Sequence, residues 1–233
     1  MKTIMPKIGL FASAALAMLM VSCGDDAPSC ESYDATTHFC DTRDNKLYRY
    51  VSIGSKTWMA ENLNYEYKVD GSTYGNWCYN NSADSCAKYG RLYTWGAAMD
   101  SAVTGCGYYK TCSASSGRVK GVCPTGWHLP SAVEWSVLIA AVGGVDSSWA
   151  KLKSTSGWSS NDGTDAYGFS ALPSGDRHGN GHFDNAGDYA YLWSSSEDNQ
   201  GNAYYMDLYC NVVYAYQCSY YKNFGFAVRC LRD

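Results

Sequence analysis

Long apolar runs are missing from this 233-residue chain, apart from one short stretch near the N-terminus. Ile8 to Val21 carries no charge, but at about 14 residues it falls short of the ~20 that a helix needs to cross a bilayer. Positive charge is scarce, with 18 basic against 22 acidic residues. That argues against nucleic acid and against an anionic membrane surface as partners, since both select basic patches. Catalytic vocabulary is thin as well. There are four histidines, His38, His128, His178 and His182, and no Gly-x-Ser-x-Gly elbow, phosphate-cradling glycine loop or His-Glu-x-x-His. The paired CxxC or CxxH spacings of a zinc site do not occur. Leucine is sparse, and no repeat or low-complexity segment interrupts the chain.

What is present begins with an export signal. Lys2 and Lys7 precede the apolar run, the pattern of a secretory signal peptide. The run closes on Met20-Val21-Ser22-Cys23, which resembles a bacterial lipobox with Met20 where leucine is usual. The resemblance implies a lipoprotein signal peptide at residues 1–22, cleavage before Cys23, and a lipid on the Cys23 thiol. The membrane then becomes a partner through a lipid anchor of several acyl chains, which holds far better than one. Gly24-Asp25-Asp26 resembles a signal for the outer face of the outer membrane; the alternative is a solvated acidic spacer. Only six residues separate Cys23 from Cys30, a reach of at most ~20 Å, so residues 23–40 read as a short tether. Loss of Lys2 and Lys7 leaves 16 basic against 22 acidic residues, a net charge of −6.

Eleven cysteines support the same compartment. With Cys23 assigned to lipid, ten remain, an even number that suits disulfides in an oxidising space. Cys30 with Cys40, Cys78 with Cys86, Cys106 with Cys112, and Cys210 with Cys218 each close a short loop. Cys123 and Cys230 are left for a bridge spanning more than 100 residues, worth about 4–5 kcal/mol in the chain-entropy model.

The 21 Tyr and 8 Trp pack an apolar face while keeping a polar group, which suits loop-rich surfaces that recognise ligands. Leu47–Ile53 alternates and ends at Gly54, a strand and turn, with Lys56–Ala60 as its hairpin partner. Leu92–Met99 is spaced for a short helix. Ser131 with Glu134 forms a capping box behind Pro130, and Val133, Val137, Leu138 and Val142 share one face of the helix that follows until Gly143-Gly144. Short strands and long loops fill the remainder, ending in a strand from Phe224 to Leu231. These elements predict one α+β domain over residues 41–233.

Six ordered blocks carry a family resemblance. They are Ile53–Tyr65 (with Trp58-Met59-Ala60-Glu61-Asn62-Leu63-Asn64), Tyr89–Trp95, Cys123–Trp135 (with Trp127-His128-Leu129-Pro130-Ser131), Asp165–Pro173, Trp193–Glu197 and Val228–Asp233. They resemble the Fibrobacter succinogenes major paralogous domain family, whose members are secreted or lipidated bacterial surface proteins without an established activity. That family is similar to C-type lectin-like domains and to the formylglycine-generating enzyme fold. The resemblance implies a C-type lectin-like architecture: a twisted antiparallel sheet with two short helices and long disulfide-stapled loops. It also implies a long-range bridge like Cys123–Cys230 from the helix region to the last strand.

Candidate sites follow from chemistry. His128, inside the Trp-His-Leu-Pro block, reads as a framework histidine, and Cys210 and Cys218 do not reproduce the paired-cysteine copper site of formylglycine-generating enzymes. No catalytic residue is nominated, and no enzymatic activity is expected. No cofactor or bound metal is expected; the weak candidate ligands for Ca²⁺ lie in two polar loops. Asp176, Asp184 and Asp188 lie in one, and Asp162 and Asp165 in the other; both loops also fit ordinary turns. The aromatic-rich stretches nominate Trp77, Tyr79, Tyr205 and Tyr209 as ligand contacts. The expected function is a non-catalytic surface recognition or adhesion module for polysaccharide or a surface protein. The alternatives are a structural envelope component and an enzyme on a formylglycine-generating-enzyme-like fold.

Overall fold

The computed structural model describes residues 30–233 except 113, 115, 116 and 212–214, together with Met1. The remainder of the signal sequence and Cys23 lie outside the described residues. The chain first forms a meander of β1 (His38–Asp41), β2 (Lys46–Ile53) and β3 (Lys56–Met59). The alternating 47–53 segment and its Gly54 turn behave as the sequence predicts, with Val51 opposite Trp58. Ordered structure reaches back past residue 41, because β1 pairs with β2 and Cys30 is bonded to Cys40.

Two small ribbons follow, β4 (Lys68–Val69) with β5 (Ser72–Thr73), and β6 (Asn76–Trp77), α1 (Ala83–Tyr89) and β7 (Leu92–Tyr93), in which β6 pairs with β7. Then come α2 (Trp95–Ala98), α3 (Ser101–Thr104), β8 (Trp127–His128), α4 (Ala132–Ala141) and α5 (Val145–Leu152). The last third holds β9 (Ser174–Arg177), β10 (Phe183–Ala186), β11 (Tyr189–Glu197), β12 (Asn202–Tyr209), β13 (Tyr216–Tyr221) and β14 (Leu231–Arg232). One five-stranded sheet has the order β1-β2-β3-β14-β8, and the other β10-β9-β11-β12-β13, in which only β9 and β11 run parallel. The fold is thus mixed α+β, with two five-stranded sheets where one sheet was expected and, among the described residues, five short α-helices where two helices were expected.

Local chemistry explains much of this. Ser131 Oγ accepts from the Glu134 amide while the Glu134 carboxylate accepts from the Ser131 amide, closing the anticipated capping box. The buried face of α4, however, is Trp135, Leu138 and Ile139, with Val142 just beyond; Val133 and Val137 point to solvent, 72% and 45% exposed. Trp135 decides the rotation by stacking on Trp58, ring centroids 4.8 Å apart. Leu92–Met99 is split into strand and helix because Thr94 caps α2, its hydroxyl accepting from Ala97. Phe224–Leu231 forms only isolated bridges before β14, to Tyr93, Arg177 and Leu192.

Four of the five anticipated disulfides are present, including Cys123–Cys230 across 107 residues. Cys210 and Cys218 are both free, which corrects the fifth. Cys218 lies opposite Tyr205 in the β12–β13 pairing, and Cys210 is five residues further along. At ~3.3 Å per residue that separation is about 16 Å, well beyond disulfide reach. The disulfides fit an oxidising, extracytoplasmic compartment. No helix among the described residues is long and apolar enough to cross a membrane.

The family-like blocks direct their polar groups inward. The indole N–H groups of Trp95, Trp193 and Trp135 donate to the carbonyls of Ser194, Tyr93 and Trp193. Fully buried Arg229 donates to Asn62 Oδ1 at 2.7 Å, to the Ser170 carbonyl at 2.8 Å and to the Phe169 carbonyl. His128, 1% exposed, sits between Asp233 at 2.8 Å and Glu134 at 3.1 Å, a framework position. These residues hold the scaffold together and are not free to meet a ligand.

Candidate functional site

The second sheet has two unlike faces. Ala190 and Leu192 of β11 and Met206 and Leu208 of β12 join the core cluster of Trp135, Leu138 and Ile139. Alternate residues therefore point the other way. On that side Tyr189 faces Tyr209, Tyr191 faces Asp207 and Trp193 faces Tyr205, with Cys218 and Tyr220 of β13 alongside. Phe226 lies against this face, its ring 4.8 Å from Tyr191 and 5.0 Å from Tyr205.

The β9–β10 hairpin folds over one edge. Gly175 has φ +64°, and a Cβ there would lie 2.3 Å from the Asp184 carbonyl, so only glycine allows the strands to close. That closure brings Asp176, His178, Asp184 and Asn185 to a cavity of about 220 Å³ whose other walls are Tyr191, Tyr205, Tyr220, Phe224 and Phe226. The rings meet at steep angles, 85° between Tyr205 and Tyr220 and again between Tyr220 and Phe224, so they wrap the space. An outer hollow of about 310 Å³ shares His178 and Phe224 and adds Tyr108, Gly179, Asn180, Tyr221 and Asn223. Tyr108, Tyr220 and Tyr221 are 39%, 40% and 49% exposed.

Polar groups converge on the floor. Asp176, 3% exposed, accepts from Asn185 Nδ2 at 2.7 Å and lies 3.3 Å from His178 Nε2. Burial pushes its carboxyl above the usual range, opposed by the Asn185 hydrogen bond and by His178. Asp207, two strands away and beside Tyr191, is 5% exposed, and its Oδ1 has no hydrogen-bond partner. Burial pushes that carboxyl up to about 7. Burial, and then Asp207 and Asp176, hold the Tyr191 hydroxyl far above its normal range, so it remains a donor. Among the described residues no lysine or arginine lines either hollow.

A larger hollow of about 460 Å³, lined in part by Lys46, Arg49, Glu61, Asn62, Asn64 and Tyr89, is less suited to a ligand. Its amides are committed: Asn62 donates to the Tyr89 carbonyl, Asn64 to the Cys86 carbonyl, and Lys46 to the Asn64 carbonyl.

Of the nominated contacts, Tyr205 lines the aromatic cavity, although it is 8% exposed. Tyr209 stacks on Tyr189 at 4.0 Å outside it. Trp77 is covered by the Arg177 guanidinium at 3.7 Å, and Tyr79 packs edge-on to Phe183 at 5.4 Å, so both brace the hairpin from behind. Among the acidic residues, Asp176 and Asp184 reach the cavity. The rest serve local structure. Asp188 accepts from the Cys210 thiol, Asp162 from the Trp158 amide, and Asp165 from the Ser170 amide and hydroxyl. Among the described residues no group of three or more His, Cys, Asp or Glu side chains is placed to hold a metal ion. Tyr191, Tyr220, Phe224 and Phe226 were not nominated. The alternating tyrosines of Tyr189–Trp193 and Tyr205–Tyr209 carried the signal, because one sheet face had to present them together.

Residues 51–232 match the family model of the Fibrobacter succinogenes major domain. No curated protein matches the chain. No solved structure matches it either.

Proposed function

Because the chain belongs to the Fibrobacter succinogenes major domain family and carries a tyrosine-walled cleft, we propose that it is a non-catalytic recognition module for polysaccharide at the bacterial surface. The observation that carries this reading is the exposure of Tyr108, Tyr220 and Tyr221 at the mouth of a cavity whose floor holds Asp176 and Asn185. Sugar rings present C–H faces that stack on aromatic rings, and hydroxyls that pair with carboxylates and amides. Tyrosine offers both at low entropic cost.

The lipid anchor on Cys23 and exposure at the outer membrane belong to the same proposal. They are supported by the Met20–Cys23 sequence, the acidic pair after it and the disulfide-rich domain. A C-type lectin-like arrangement is supported by the Cys123–Cys230 bridge, which ties the approach to α4 to the last strand.

Every described helix and strand lies beyond residue 29, so the chain from Gly24 carries the whole fold. That chain should be retained on at least one member of a panel of plant and bacterial polysaccharides, and Tyr220→Ala and Tyr221→Ala should each reduce retention. Failure to bind any glycan, or binding indifferent to both substitutions, would contradict the proposal.

A further inference from the structure

The inner cavity is built more like a cation cage than a flat sugar platform. Tyr191, Tyr205, Tyr220, Phe224 and Phe226 line it, with Tyr191 stacked on Phe226 at 24° and Tyr220 edge-on to Tyr205 and Phe224 at 85°. A ring face is the negative end of its quadrupole, so several rings around one space attract a positive charge. Asp176 adds a buried carboxylate to the floor and Asp184 an exposed one to the rim. The nearest fixed cation by sequence, Arg177, is turned away onto Trp77 and Phe183 at 3.7 and 5.6 Å. Among the described residues no lysine or arginine lines the inner or outer hollow, and the basic side chain beside Asp176 is His178, its Nε2 3.3 Å away. A uronate or sulfated sugar would meet Asp176 and Asp184 with like charge.

Resting on the glycan reading, we propose that the inner cavity takes a protonated amine, and that the preferred ligand class is a polysaccharide with free amino sugars. The ammonium group sits among the five rings with Asp176 as its counter-ion, while Tyr108 and Tyr221 stack on the next sugar in the outer hollow. At about 220 Å³ the inner space is smaller than the ~300–1,000 Å³ of drug-sized sites and suits one ring bearing one amine.

The test compares three β-1,4-linked oligosaccharides of equal length that differ only at C2: free amine, N-acetyl and hydroxyl. Calorimetry with the chain from Gly24 at pH 6 and 0.15 M salt should give at least tenfold tighter binding for the free amine. Tetramethylammonium chloride should compete for the site. Tyr220→Ala, at a 40% exposed position, leaves the net charge unchanged and should abolish the preference, which separates the cage from general attraction of a polycation to an acidic chain. Asp176→Asn should weaken binding of the amine more than of the hydroxyl form. Equal binding of all three chains would overturn the cage while leaving the glycan reading in place. Tetramethylammonium binding with no oligosaccharide bound would keep the cage and remove the glycan reading. An amine preference that survives Tyr220→Ala would also overturn the cage.

Discussion

Asp207 provides a test that depends on a single buried group. It sits on the interior strand β12 opposite Tyr191, 5% exposed, with Oδ1 unpaired. Burial raises its carboxyl from 3.8 to about 7 in the folded protein. An acid whose folded value is raised binds more protons folded than unfolded between those two values. Stability therefore falls as pH rises from about 4 to about 7 and is level above. Each unit corresponds to about 1.4 kcal/mol, so ionised Asp207 costs the fold up to ~4 kcal/mol at pH 8. Asp207→Asn keeps the shape and removes the titration. Urea unfolding of both proteins from pH 4 to pH 8.5 should show the variant gaining on the parent through that window, with curves parallel above pH 7.5. The difference between the two curves cancels every other titrating group. Parallel curves across the whole range would refute the argument and mean that Asp207 finds a partner or water when ionised.

Three further consequences concern covalent and backbone constraints. Removing the 107-residue bridge with Cys230→Ser should cost about 5 kcal/mol, against about 3 for Cys30→Ser across 10 residues; equal melting shifts would contradict the architecture. Thiol titration of the chain from Gly24 in denaturant should find two thiols, Cys210 and Cys218, and none would mean that they are bridged. Gly175→Ala, with φ +64° and the Asp184 carbonyl 2.3 Å from the added carbon, should cost more than ~2 kcal/mol. It should also open the cleft, whereas Gly117→Ala, which meets nothing within 4 Å, should cost far less.

Features set by neighbouring residues were legible in the sequence. The Ser131–Glu134 box, the Gly54 hairpin and the short-loop disulfides all depend on contacts a few residues apart. Cys210 and Cys218 look equally local, yet the pairing of β12 with β13 slides them past each other, and register is a property of the sheet. The face of α4 was misread for a related reason: several apolar positions fit a stripe, and the partner Trp58, 77 residues away, selected the one containing Trp135. The cleft needed both kinds of knowledge. Alternating tyrosines in two segments foretell an aromatic face, but the hairpin that folds Asp176 and Asn185 over it, and the return of Phe224 and Phe226 from the C-terminal segment, come from tertiary packing.

The most direct test of the recognition cleft is a nitration footprint of the exposed tyrosines, with and without a glycan that the chain retains. Tyr108, Tyr220 and Tyr221 should be protected by the glycan, while Tyr33, Tyr74 and Tyr167, comparably exposed at 37%, 40% and 38%, should react as before. Protection of the second group alone, or uniform reactivity with glycan bound, would place the binding surface elsewhere and contradict the account.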